Sequence, residues 1–193
     1  MSAYNFEIIK NDNTPIMCIF GCLLSEAGIK IKEEMLNWLI EKYDVICVNQ
    51  ESPGTLYEWP ALHFAQKYSI NNNIPVLYIH TKGAGNPYNV YDQHKVRKFW
   101  KDEFINNYNF YSNVNNSESI VLCPYANKQG STWLNGFVAT STAWKNTNLK
   151  YTHDRLYYEH CFKDNNRVKV KGRISSDIVV PQSLGPIINA MYK

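Results

Sequence analysis

The chain has 193 residues, 45% of them hydrophobic and 19% charged, and a net charge of +3. That is long enough for one well-buried domain, too apolar for a disordered chain, and too weakly basic for composition to point to nucleic acid. The cysteines (Cys18, Cys22, Cys47, Cys123 and Cys161) form no Cys-x-x-Cys pair, and no charged head precedes an apolar core at the N-terminus; both fit a reducing, cytoplasmic setting without a signal peptide.

Ile16-Met17-Cys18-Ile19-Phe20 reads as a first core strand running into Gly21. A helix is predicted over 29–43, where Ile29, Met35, Leu36, Leu39 and Ile40 fall close to one face. Asp44 to Val48 is a second strand, and Ser52-Pro53-Gly54 breaks the chain. Tyr57 to Tyr68 makes a second helix with Pro60 in or capping its first turn. Ile74 to Ile79 is an apolar run bounded by turn residues, the mark of a buried central strand. Val90 to Tyr111 is a long helical candidate, and Ser119 to Cys123 a further strand. Another strand starts near Phe137 and a helix near Ser141-Thr142, with a short helix over His153 to Phe162. Arg167 to Arg173 alternates basic and apolar residues, as a half-exposed strand does. The longest largely apolar segment, 15–24, is too short to span a bilayer. The strand–helix alternation of the first half predicts a mainly parallel sheet flanked by helices, in a single α/β domain over 1–193.

Right after the central strand the chemistry changes: His80-Thr81-Lys82-Gly83-Ala84-Gly85 offers an imidazole, a hydroxyl, an ammonium and glycines. Ligands bind at the carboxyl ends of strands in open α/β sheets, and glycines there let backbone N–H groups approach an anion. Standard nucleotide motifs are missing. No Gly-x-x-x-x-Gly-Lys-Ser/Thr occurs, and Tyr88 stands where a dinucleotide fingerprint needs its third glycine. There is no Gly-x-Ser-x-Gly elbow and no His-Glu-x-x-His. The basic stretch 167–173 suits phosphates or an exposed, lysine-protected sheet edge.

Three stretches together carry a resemblance: Tyr78-Ile79-His80-Thr81-Lys82-Gly83, Val96-Arg97-Lys98-Phe99-Trp100-Lys101, and Asn135-Gly136-Phe137-Val138-Ala139. They resemble a family of small glycosyltransferase-like proteins of GT-A type. Its pattern is a strand ending in Leu-His-Thr-Lys-Gly, then a Trp-Arg helix, then a Gly-Asn-Phe-Trp-Trp-Ala element. The likeness spans roughly residues 16–160, with His-Thr-Lys-Gly its most specific part. Lys101 replaces the arginine after tryptophan, and Leu134-Asn135-Gly136-Phe137 replaces the Gly-Asn-Phe-Trp run. These departures fall on the acceptor side.

The resemblance implies a GT-A-like, Rossmann-like fold that binds a nucleotide-diphosphosugar and transfers its sugar to a glycan or lipid-linked acceptor. His80-Thr81-Lys82 then stands where many such enzymes hold Asp-x-Asp and a divalent metal. This chain has no Asp-x-Asp. Manganese or magnesium can still be held by a histidine and substrate phosphates. Without a metal, Lys82, helped by His80 and Arg97, would meet the charge on the leaving diphosphate; one positioned donor at such an oxyanion contributes about 3–4 kcal/mol. Thr81 and Gly83 complete that donor side. An acceptor hydroxyl needs a general base, for which Asp154 and Glu159 are the candidates. Glu159 can equally pair with Arg155, and Asp154 can equally cap a helix. Asn135 and Gly136 suit a sugar hydroxyl or a plain turn. Trp133 suits stacking on a sugar, whereas Trp100 reads first as core. The rival expectations are a non-catalytic nucleotide- or glycan-binding module and a nucleic-acid-associated protein; the modest charge argues against the latter.

Overall fold

In the computed structural model, residues 5–9, 14–51, 58–81, 90–126, 132, 136–151, 161–162 and 166–174 are described, with backbone alone for 90–92, 125 and 174. They build an α/β fold on a seven-stranded mixed sheet. The strands are β1 (Asn5–Ile9), β2 (Met17–Leu23), β3 (Asp44–Gln50), β4 (Val76–His80), β5 (Ile120–Tyr125), β6 (Phe137–Ala139) and β7 (Lys169–Ile174), in the spatial order β1-β3-β2-β4-β6-β5-β7. The helices are α1 (Glu26–Leu39), α2 (Trp59–Asn72), α3 (Val90–Asn106), α4 (Tyr108–Ser112) and α5 (Ser141–Asn146).

The parallel block β3-β2-β4 follows from the strand–helix alternation, with α1 and α2 as crossovers. β7 also runs parallel to β5. β1 and β6 run the other way, so the sheet is mixed. β6 inserts between β4 and β5 on the chain's first return from β5, and a direct return of that kind is antiparallel.

Helices cover both faces, which is why β2 and β4 read as continuous apolar runs. On one face Cys18, Phe20, Cys22, Leu77 and Ile79 pack with Met35, Trp38 and Leu39 of α1 and Val96, Trp100 and Phe104 of α3. On the other, Ile19, Val76 and Tyr78 pack with Ala61, Leu62 and Ala65 of α2 and Ala143 and Trp144 of α5. Cys18, Cys47 and Cys123 are wholly buried and act as small core hydrophobes.

Several boundaries differ from expectation. α1 starts earlier because the Ser25 hydroxyl caps it, accepting from the Gly28 N–H at 3.0 Å. Pro60 does sit in the first turn of α2, which runs on to a left-handed Asn73 at φ 52°. The long helix over 90–111 breaks at Asn107 into α3 and α4. β1 is unforeseen: it pairs with β3 and leaves Phe6 and Ile8 exposed. Most of the expected helix over 153–162 lies outside the described residues. Among the described residues no helix is long and apolar enough to cross a membrane.

Candidate functional site

The chain passes from β2 through α1 to β3 on one flank of β2, then through α2 to β4 on the other flank. The strand order therefore reverses between β2 and β4, the kind of position beside which ligands bind at the strands' carboxyl ends in open α/β sheets. Gly21 and His80 stand opposite one another there. The Thr81 N–H donates to the Gly21 carbonyl at 2.9 Å, and the Leu23 N–H donates to the Thr81 hydroxyl at 3.1 Å. The exit of β4 is thus fastened to β2 at two points, immediately before Lys82.

His80 is 9% exposed. Its Nε2 lies 3.3 Å from Oε1 of Glu58, the residue that caps α2. Its ring is stacked near Tyr78 (centroids 6.1 Å apart) and meets the Trp100 indole edge-on at 5.5 Å. Glu58 comes this close because Gly21 has no side chain. A Cβ on Gly21 would lie 2.9 Å from the Ala61 Cβ and 3.4 Å from the His80 Cβ, so the first turn of α2 rests directly on β2.

α3 supplies the opposite wall. Gln93, Arg97 and Trp100 lie at helical spacing and are all buried. Arg97 Nη2 is 3.5 Å from Oε2 of Glu34 on α1, whose other oxygen lies 3.5 Å from His94 Nδ1. Gln93 Oε1 and Trp100 Nε1 are buried and have no hydrogen-bond partner among the described residues. Gly136 is accounted for by packing: a Cβ there would sit 2.7 Å from the indole nitrogen of Trp100.

Of the residues singled out in the sequence, His80, Thr81, Arg97 and Gly136 are thus placed around the β4 exit and the inner face of α3. Lys82, Gly83, Trp133, Asn135, Asp154 and Glu159 lie outside the described residues. The described flanks of 152–160 both meet the start of α2. The Tyr151 ring is 5.9 Å from Trp59. Burial pushes the Cys161 thiol up, and the nearby Glu58 carboxylate adds to it. Sequence reasoning missed Glu58, Glu34 and Gln93. Glu58 carries no local signal, because only the crossover brings it to His80. Among the described residues, no group of three or more His, Cys, Asp or Glu side chains can hold a metal ion.

A second titratable cluster lies on the α1 face of β2 and β3. Burial pushes the Cys22 thiol far up, whereas the hydrogen bond from Cys22, helped by the Lys32 ammonium, holds Cys47 below the ordinary thiol value. Both thiols are buried.

Comparison with protein-family profiles, with curated proteins and with solved structures gives no match.

Proposed function

We propose that this chain is a GT-A-like glycosyltransferase that moves a sugar from a nucleotide-diphosphosugar to a glycan or lipid-linked acceptor. The observation that carries the reading is the position of His80-Thr81, at the carboxyl end of a central strand beside the point where strand order reverses. The supporting chemistry is that of the residues around it. Transfer forms a bond from the acceptor oxygen to the anomeric carbon and breaks the bond from that carbon to the diphosphate, which leaves with the electron pair. The developing negative charge needs fixed donors. Lys82 follows Thr81 directly in the sequence and is the cation this reading assigns to the diphosphate, Arg97 being paired with Glu34. Asp154 and Glu159 are the proposed bases for the acceptor proton.

A thermal-shift screen of nucleotides and nucleotide sugars, with manganese or with EDTA, tests the reading. A ligand at about 100 times its dissociation constant adds roughly 2.7 kcal/mol of stability. The expected result is stabilisation by a nucleoside diphosphate that persists in EDTA and disappears in Lys82→Ala. Stabilisation restored only by manganese would assign the diphosphate's charge to an ion instead of Lys82. Binding with no sugar transfer and no donor hydrolysis would favour a non-catalytic module. No shift with any nucleotide would overturn donor binding.

A further inference from the structure

We propose that Glu58 is a positioning residue of this site: its carboxylate holds the His80 imidazole in one orientation at the exit of β4. The inference rests on reading that exit as the ligand edge, and it adds a residue that no motif contains. A glutamate at a helix cap ordinarily turns its carboxylate toward the first-turn N–H groups. Glu58 makes no such side-chain cap bond. Its side chain is instead 13% exposed and directed at His80, whose own side chain is 11% exposed, with Nε2 and Oε1 3.3 Å apart. Taking a carboxylate this far out of water without a partner is costly, and an imidazole nitrogen 3.3 Å away offsets that cost.

The arrangement acts through the strand. His80 is the last residue of β4, and Thr81 after it is tied to Gly21 and Leu23. With the ring held by Glu58 on one side and faced by the Trp100 edge on another, His80 and Thr81 keep one orientation at the end of β4. A carboxylate bonded to one imidazole nitrogen also settles which nitrogen carries the proton there. Gly21 is the remote determinant, because any side chain on it would push the first turn of α2, and Glu58 with it, away from the strand.

The test is NMR on the full chain labelled with 15N, at about pH 8, where an unperturbed imidazole is neutral. Wild type should show a His80 Nε2–H resonance protected from solvent exchange, together with cross-relaxation between the His80 ring and the Trp100 indole. His80→Gln assigns the signals by removing them. Glu58→Ala should lose both features, and Glu58→Gln, which keeps an acceptor oxygen, should retain them. The proposal is overturned if wild type lacks the protected proton, or if Glu58→Ala leaves proton and cross-peaks unchanged, since packing alone would then hold the ring. Nucleoside diphosphates added to the same samples examine the ligand edge separately. Glu58→Ala should weaken binding by about tenfold, the loss of one charge-assisted hydrogen bond. If wild type binds none of them, the glycosyltransferase reading fails, while the protected proton and the cross-peaks still judge Glu58.

Discussion

A methyl group on Gly21 would have to displace Ala61, an α2 residue in the wholly helix-covered part of the sheet. Glycine here reflects close approach of a helix to a strand and involves no unusual backbone angle. Gly21→Ala should therefore destabilise the protein by about 1–3 kcal/mol, as overpacking does, with urea denaturation as the measurement. His63, one turn along α2 from Trp59, stacks on that indole at 4.9 Å and 11°. Burial first, and the Lys67 ammonium second, hold its imidazole below the ordinary histidine value. The folded state therefore takes up this proton less readily than the unfolded chain. Stability is unaffected above the unfolded value of about 6.5 and falls as the pH drops below it toward the folded value. Melting temperatures across that range should decline on acidification, and less so in His63→Gln.

At the scale of elements, the edge strand β7 is held by a buried carboxylate. Glu103 on α3 accepts from both Nε (2.6 Å) and Nη2 of Arg173, from the Tyr111 hydroxyl at 3.2 Å, and from Asn107 Nδ2 at 3.4 Å. Glu103 holds the Arg173 guanidinium above its ordinary value. One side chain thus joins α3, the break at Asn107, α4 and β7. Lys169 and Lys171 remain exposed along the same edge, as the alternation in the sequence implies. Glu103→Ala should cost about 3 kcal/mol, the low end for breaking a buried pair, because Arg173 keeps about a third of its side chain in water. Denaturant titration measures this, and Glu103→Gln should recover part of the loss by keeping an acceptor. At the opposite end of the sheet from the site, Asn116 donates to the Asn73 carbonyl at 2.7 Å and accepts from the Ser141 N–H at 2.8 Å. Those bonds join the end of α2, the approach to β5 and the start of α5.

Across the whole molecule, burial falls steeply from the centre of the sheet to the β1 edge. Val76 to Ile79 are inaccessible, whereas Phe6 and Ile8 are 58% and 52% exposed. Hydrogen exchange should follow that gradient: β2 and β4 amides should exchange only through global unfolding, and β1 amides through local opening. Equal protection in β1 and β4 would contradict it. The same gradient separates what was legible in the sequence from what was not. Apolar runs long enough for strands identified β2, β3, β4 and β5, because a strand buried on both faces leaves no other pattern. β1 escaped notice because it carries one side of the sheet edge with mostly exposed residues.

The sequence by itself determined the class of fold. Strand–helix alternation forces parallel crossovers, and a polar, glycine-containing stretch after a buried strand marks its carboxyl edge. It also ranked the core first for Trp100, whose indole is wholly buried. Only the tertiary structure decided the rest. The reversal of β6 depends on which neighbours it inserts between, and that is set by pairing across the sheet. Glu58 meets His80 because α2 crosses the sheet and Gly21 lets it rest on β2. Arg97 meets Glu34 because α1 and α3 share one face. Periodicity records which side of an element is buried. Contacts between residues far apart in the chain depend on how elements are laid against each other, and no local spacing encodes that.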